Sequence, residues 1–335
     1  GDATVKLAVE EVKVNLFCAR MSYSCAPYVI AYRRQNLESF LDAIIHTLNY
    51  FGGVPRSMIF DNARVAVKSG FGAHAAAQDD YSRLAAHYGF QPVFCNPASG
   101  NEKGLVENLV GYIRRNVCVP LPQVDSLEDL NTKLLEQCAK YMNHKIDGRS
   151  QKVGQMLAED QAHLHPLPKY VLDISKKAYP KVNRYSTVLF DTNYYSVPCK
   201  YRGKGTTVKA YPNRVEIWIN GLLVATHDRC MGRKQESLDL RHYLPILERK
   251  GRAIRYARPV LNAVPAEFLN WMEKQHLNSK QMVELLEQCL TDGYLAVMQR
   301  DLPNPDTSIA KNDVPVLSVD LSQYDKLYER KGAAS

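Results

Sequence analysis

The chain has 335 residues, 43 Lys and Arg against 35 Asp and Glu, a net charge of +8, 45% hydrophobic and 23% charged residues. These proportions describe a soluble globular protein with room for two or three domains and a sizeable core. They exclude a chain that crosses a membrane, because no apolar run reaches the needed length, and eight cysteines without a C-x-x-C pair argue against a disulfide or structural zinc scaffold.

The first third alternates in type. "ATVKLAVEEVKVNLFCAR" has period-two character and predicts a hairpin with its turn at Glu10–Glu11, and "APYVIAYR" supplies a third strand. "NLESFLDAIIHTLNYFGG" has helical spacing, with Asn36 as N-cap and Gly52–Gly53 as the stop. Pro55 leads into the strand "RSMIF", which ends at Asp61–Asn62. A loop follows, then a helix around "AAQDDYSRLAAHYG" closed by Gly89, a strand "FQPVFCN", and the helix "GNEKGLVENLVGYIRRN" over 100–116. In that helix Leu105, Val106, Leu109, Val110, Ile113 and Val117 form the buried stripe, while Lys103, Glu107, Arg114 and Arg115 take the other side. "DSLEDLNTKLLEQCAKYMNHK" makes one more helix, capped by Ser126. Three strands followed by strand–helix alternation predict an α/β domain over 1–150, a mixed sheet with flanking helices. By analogy alone, that order is also the order of the ribonuclease-H-like fold.

After residue 150 the texture changes. Residues 151–172 read as a proline-bearing linker, and 173–245 as five short strands with basic turns, a small β-barrel whose clearest signal is the hairpin turn Asn220–Gly221. Residues 246–335 read as a basic connector, two C-terminal helices and a tail. Between Lys181 and Val260 there are 16 Lys and Arg against 6 Asp and Glu; from Leu261 to Ser335 there are 7 against 11. The middle of the chain therefore suits a polyanion, and the acidic end suits a protein partner.

Asp61 directly follows an apolar strand, at the edge where α/β sheets collect ligand and catalytic groups, and it reads equally as an Asx turn. Glu107 alone reads first as an ordinary surface residue pairing with Lys103 at i,i+4. Together, a strand-end Asp and a helical Glu match a two-metal phosphoryl-transfer site, whose Mg²⁺ ions need hard oxygen ligands.

"YFGGVPRSMIFDNARVAV", "NEKGLVENLVGYIRRN", "GRSQKVGQMLAEDQAHLHPLP" and "YYSVP" resemble the IstA-type DDE transposases, bacterial insertion-sequence enzymes of the retroviral-integrase superfamily. The likeness runs in family order from Gly1 to about His242. It implies a ribonuclease-H-like (retroviral integrase) catalytic domain that cuts and joins DNA with two Mg²⁺ (or Mn²⁺) ions. It also implies a homo-oligomer on transposon ends and target DNA, an AAA+ ATPase helper of the IstB type, and a bacterial cytoplasmic location. By carry-over Asp61 is the second acidic ligand and Glu107 the third. Gly1-Asp2-Ala3 fits the last three positions of the family's D-[FW]-G-[ED]-A pattern, so the first Asp is expected two positions ahead of Gly1. Asp2 is then only a fallback metal ligand, on the opposite face of the strand. On this reading the segment is a fragment, inactive by itself and without the family's helix-turn-helix region.

Asn62, Lys103, Arg114 and Arg115 are candidate phosphate contacts beside the carboxylates. Lys200, Arg202, Lys204, Lys209, Arg214, Arg233 and Lys234 are candidates on the barrel. Tyr194, Tyr195, Tyr201 and Tyr211 read as core or edge packing ahead of base stacking. "RKGRAIRYAR" (249–258) reads equally as a basic arm on DNA or a connector, and His163 and His165 as part of the linker rather than zinc ligands. Two rivals stay open: a non-catalytic DNA-binding scaffold with this fold, and a general ribonuclease-H-like nuclease.

Overall fold

The computed structural model describes residues 1–60, 67–69, 76–77, 79–94 and 100–300; within these, nothing is described of the side chains of 67–69, 76–77, 94 and 100–107. Asp61 and Asn62 lie outside the described residues. The chain divides into two compact units, Gly1–His242 and Tyr243–Ser335.

The first unit opens with β1 (Asp2–Leu7), β2 (Glu10–Arg20) and β3 (Pro27–Tyr32), followed by α1 (Leu37–Phe51) and β4 (Ser57–Phe60). The short β5 (Val67–Ser69) and β6 (Ala76–Ala77) precede α2 (Asp79–Tyr88), β7 (Gln91–Phe94) and α3 (Gly100–Val117). Then come β8 (Gln123–Val124), α4 (Leu127–Tyr141) and α5 (Val153–Ala162). The main sheet has the order β3-β2-β1-β8, antiparallel except for the parallel β1–β8 pair, and β4 and β7 form a separate parallel pair. This is a mixed α/β architecture with helices on both sheet faces. On one face Val5, Leu7, Val14 and Leu16 meet Leu109 and Ile113 of α3 and Leu130 and Leu134 of α4. On the other, Tyr28 and Ile30 meet Ala43 and Phe51 of α1 and Val153 and Met156 of α5. Behind α1 a further core joins Leu41, Ile44 and Leu48 to Phe60, Tyr81, Leu84 and Tyr88.

The helix ends follow local chemistry. Asn36 accepts a hydrogen bond from Ser39 N at 2.9 Å, and Gly52 takes the left-handed conformation (φ 78°) that stops α1. Ser126 and Asp129 form a reciprocal capping box at the start of α4. The first hairpin corrects the sequence reading: the turn is Ala8–Val9, with Leu7 opposite Glu10, rather than Glu10–Glu11. An apolar Val9 at the tip, 85% exposed, is what hides the turn in the sequence.

The expected linker over 151–172 is also corrected. Its first half is α5, and Val153 and Met156 are buried against α1 and β3 because the helix closes one sheet face. Its second half pairs with the first core: Val54 and His165 form a β-bridge, and Leu167 and Leu172 pack over the α1–α2 core. Gly53 permits that approach, since a Cβ there would lie 2.6 Å from Leu164 Cβ and 2.8 Å from the His165 carbonyl. His163 bonds through Nδ1 to the Glu159 carbonyl at the end of α5.

Where the sequence suggests five strands in one barrel, there are seven in two sheets. They are β9 (Lys176–Ala178), β10 (Thr187–Phe190), β11 (Asn193–Ser196), β12 (Thr207–Ala210), β13 (Arg214–Ile219), β14 (Leu222–Asp228) and β15 (Glu236–Ser237). The sheets have the orders β10-β11-β15 and β14-β13-β12-β9, and both contribute to one core that includes Val188, Tyr195, Val197, Val208, Val215 and Ile217. The Asn220–Gly221 turn has positive φ at both residues (49° and 78°), the geometry this dipeptide favours in a hairpin.

A buried polar cluster ties these sheets together. His227 on β14 donates from Nε2 to the Ser196 carbonyl of β11 (2.7 Å) and accepts from Ser237 Oγ of β15 at Nδ1 (3.0 Å). Ser196 Oγ accepts from Asp239 N (2.8 Å) and bonds to His242 Nδ1 (2.8 Å), whose Nε2 faces Asp239 Oδ2 at 4.0 Å. Every one of these bonds is made with neutral imidazoles. Burial pushes His242 down from 6.5 to about 4, with the neighbouring His227 and Arg241 charges helping and Asp239 opposing, and burial also lowers His227. The unfolded chain therefore takes up these protons first. Stability is full above pH 6.5 and is lost as pH falls from 6.5 toward about 4. The gap at His242 corresponds to about 3 kcal/mol, reduced to about 1–2 by solvent screening at the partly exposed ring. Urea midpoints at pH 7.5, 6 and 5 should fall for the wild type and flatten for His242→Gln. Asp239, held below 3.8 by Arg241 despite its burial, titrates below this window. An unchanged slope in the variant would remove the cluster from the account.

The second unit is helical: α6 (Leu244–Arg249), α7 (Arg258–Ala263), α8 (Ala266–Lys274), α9 (Ser279–Asp292) and α10 (Tyr294–Met298). Leu244, Leu247, Ile254, Val260, Phe268, Met272, Leu286 and Val297 are buried, so the described part of this unit, to residue 300, is packed around its own core. No helix among the described residues is long and apolar enough to cross a membrane.

Candidate functional site

The parallel pairing of β4 and β7 sets Phe60 level with Phe94, so the carboxyl ends of the two strands share one edge. Asp61 is the next residue in the sequence after Phe60 and lies outside the described residues. Lys103 and Glu107 fall within α3, whose backbone is helical from Gly100 to Val117. α3 is held to the sheet by Leu109 and Ile113, each fully buried and worth about 1.5–3 kcal/mol.

α3 passes close to the start of β1. A Cβ on Gly1 would lie 2.8 Å from Val110 Cγ1, and one turn further on Arg114 reaches Asp2. Only glycine fits at that crossing. One turn back along α3 from Val110 lies position 107.

Asp2 and Arg114, both sequence candidates, turn out to be each other's partners. Arg114 donates to the Asp2 carbonyl (3.0 and 2.8 Å) and to Asp2 Oδ1 (2.6 Å), while Lys13 Nζ lies 2.6 Å from Oδ2. The Lys13 hydrogen bond, then its charge and that of Arg114, hold Asp2 below the usual carboxylate value. Asp2, the fallback metal ligand of the sequence reading, is thus the centre of an exposed ion triad, and Arg114 is one of its two cations. Arg115 is exposed on the next position of the helix. Among the described residues no group of three or more His, Cys, Asp and Glu side chains could hold a metal.

The basic candidates of the two-sheet region divide into two sets. Lys200, Arg202 and Lys204 are exposed on the segment after β11, and Arg233 and Lys234 on the segment between β14 and β15. Lys209 is half-buried, bonded to Asp173 Oδ2 at 3.0 Å and stacked over Trp218 at 5.2 Å, so its charge is used inside the fold. Burial would raise Asp173, but bonds from Ser175 and Lys209 outweigh it and hold it well below the usual range. Arg214 pairs with Glu216 at 3.0 Å and lies 4.1 Å from the Tyr211 ring. Tyr195 is fully buried, with its hydroxyl accepting from Cys230 N, which settles it as core; Tyr194 is 36% exposed.

Sequence reasoning missed Arg229. Its Nη2 lies 3.2 Å from both Glu38 Oε1 and Asp191 Oδ2, and Nη1 donates to the Tyr211 carbonyl at 3.0 Å. Burial would raise Asp191, yet the bond from Arg229 and the charges of Lys176, Arg229 and Arg34 together lower it. Arg34 also donates to the Met231 carbonyl. The network joins the start of α1 to the two-sheet region, and nothing local in the sequence marks it.

Residues 167–239 match the family described as Mu transposase, C-terminal domain. A transposase of Aminobacter aminovorans is 32% identical over 302 residues, covering 86% of this chain and 58% of that protein. The transposase for insertion sequences IS1326/IS1353 of Pseudomonas aeruginosa is 30% identical, covering 88% and 59%. The transposase for insertion sequence element IS21 of Pseudomonas aeruginosa is 28% identical, covering 73% and 64%. Among solved structures, a simian T-cell lymphotropic virus intasome aligns over 69% of this chain and 78% of that one, with 13% identity and a TM-score of 0.35, too low to define a common overall fold. Over most of its length the chain is thus similar to insertion-sequence transposases, among them those of IS1326/IS1353 and IS21. It spans 58% and 59% of the length of the first two relatives.

Proposed function

We propose that this chain carries the catalytic core and part of the DNA-binding surface of a DDE transposase that cuts insertion-sequence ends and joins them to target DNA. The observation that carries the reading is the likeness to insertion-sequence transposases over most of the chain, in which Asp61 follows β4 in the sequence and Glu107 falls on α3. The named relatives support it over 86–88% of the chain. In this reading the 1–150 region is ribonuclease-H-like and the two-sheet region over 173–245 binds DNA.

The donor set fits the metal the family implies. Asp61 and Glu107 offer carboxylate oxygens, the hard ligands that Mg²⁺ or Mn²⁺ takes, while the Asp2 oxygens are paired with Lys13 and Arg114. When bound, two such ions would supply charge to activate the attacking oxygen and to stabilise the leaving oxygen of an in-line displacement. The chain's own contribution is positional. Leu109 and Ile113 fix α3 on the sheet, and Gly1 lets β1 approach it. Asn62, Lys103 and Arg115 are placed in sequence to meet phosphates beside the carboxylates, while Lys200, Arg202, Lys204, Arg233 and Lys234 hold duplex DNA through its backbone. Double-stranded transposon ends and target, further copies of the chain, and an AAA+ ATPase helper of the IstB type are the proposed partners.

The test is a joining assay with the complete transposase and pre-cleaved ends. Joined product is expected with Mg²⁺ or Mn²⁺ and none in EDTA. Binding without any metal-dependent reaction would favour the scaffold reading, and cleavage without joining the nuclease reading.

A further inference from the structure

We infer that the turn at 249–258, in the helical unit, is a second binding site for the phosphate backbone of double-stranded DNA. The inference rests on the DNA-binding reading above and extends it to a part of the chain with no assigned partner.

The segment is not a loose connector. α6 ends at Arg249, residues Gly251–Tyr256 wind as a 3-10 turn, and α7 starts at Arg258. Ile254 is fully buried and anchors the turn in the core of the unit. Gly251 presses against the start of α9 so closely that a Cβ would fall 1.8 Å from Ser279 Oγ. Backbone bonds from Lys250 N to the Ile246 and Leu247 carbonyls and from Ala253 N to the Lys250 carbonyl (2.7 Å) complete the fixation.

On that fixed backbone sit Arg249, Lys250, Arg252, Arg255 and Arg258 with no acidic residue among them, whereas 259–300 carries three Lys and Arg against five Asp and Glu. Arg252 and Arg255 are three apart, which places them on one face of a turn with about three residues per revolution, roughly 6 Å apart along its axis. Arg249, Lys250 and Arg252 are exposed, and among the described residues no side-chain hydrogen bond or ion pair engages them. Arg255 pairs with Glu273 of α8, and Tyr256 stands 78% exposed beside it. A folded unit gains nothing from crowding like charges on a rigid turn. Their self-repulsion is relieved by a polyanion, and a row of guanidinium and ammonium groups with one exposed tyrosine matches a phosphodiester backbone. Glu273 is the built-in competitor for that surface.

The experiment measures binding of the full chain to a random-sequence duplex of about 30 base pairs across a salt series. Replacing Arg249, Lys250 and Arg252 together by Ala should flatten the log–log salt slope by about two to three, since each phosphate contact contributes about 0.9. Glu273→Gln should tighten binding severalfold and serves as the decisive variant if the triple variant does not fold. Replacing Lys200, Arg202 and Lys204 by Ala tests the other unit. If that variant loses affinity while the 249–252 and Glu273 variants change nothing, the second site is wrong and the DNA reading stands. If no basic variant alters the slope, the DNA reading fails as well. Binding of an acidic protein, with DNA affinity unchanged in both 249–273 variants, also overturns the inference.

Discussion

Arg229→Met is expected to lower the stability of the chain by about 3–5 kcal/mol, seen as a lower urea midpoint with an unchanged slope. The Arg229 side chain is 2% exposed and Glu38 only 10%, so their contact is among the most thoroughly desolvated ion pairs among the described residues. Removing the guanidinium leaves the Glu38 carboxylate buried without its cation. The first turn of α1, where Glu38 sits, offsets part of that loss through its exposed backbone N–H groups. Asp191 suffers less, because Arg34 and Lys176 each stay within 3.7 Å of it. The pair is not itself a large source of stability: Arg229 Nε has no acceptor, and charges so buried cost much to desolvate. Glu38→Leu combined with Arg229→Met should therefore be less damaging than Arg229→Met alone. That double-mutant coupling is the specific signature. A loss below about 1 kcal/mol in the single variant, or strict additivity in the double, would show that the contact does not hold α1 to the two-sheet region.

The network also shows which part of the molecule can be read from sequence. Asn36, Gly52, Ser126 and the Asn220–Gly221 turn are legible because a cap or turn satisfies backbone groups only a few residues away. Glu38 and Arg229 are 191 residues apart, and each looks like an ordinary surface charge until the two regions pack. α5 was hidden for a similar reason, since its burial comes from β3 and α1 rather than from its own pattern. At the candidate site, strand-end position marks Asp61 and helical spacing marks Glu107, but only family likeness joins the two. The engagement of Asp2 by Lys13 and Arg114 depends on the β1–β2 register and on α3 lying over β1, neither of which is written in any one segment.

Glu107→Gln, made in a complete transposase that contains this segment, is expected to slow strand transfer by several kcal/mol of barrier, on the order of a thousandfold. Asp2→Asn is expected to leave it within about threefold, an exposed ion pair being worth little. The two changes remove the same charge, so their difference tests position rather than electrostatics in general. Gln matches Glu in size and helix propensity, and α3 draws its attachment from Leu109 and Ile113, so a fold defect is not the expected cause of the loss. Val110 marks where α3 crosses Gly1, and position 107 lies about 4.5 Å back along the helix axis. Asp2 is already neutralised by Lys13 and Arg114. Binding of uncleaved ends should survive in both variants, and should strengthen slightly in Glu107→Gln as a negative charge leaves the neighbourhood of phosphates. If Glu107→Gln joins ends at the wild-type rate, or Asp2→Asn abolishes joining in a folded protein, then the metal-binding carboxylates have been wrongly assigned.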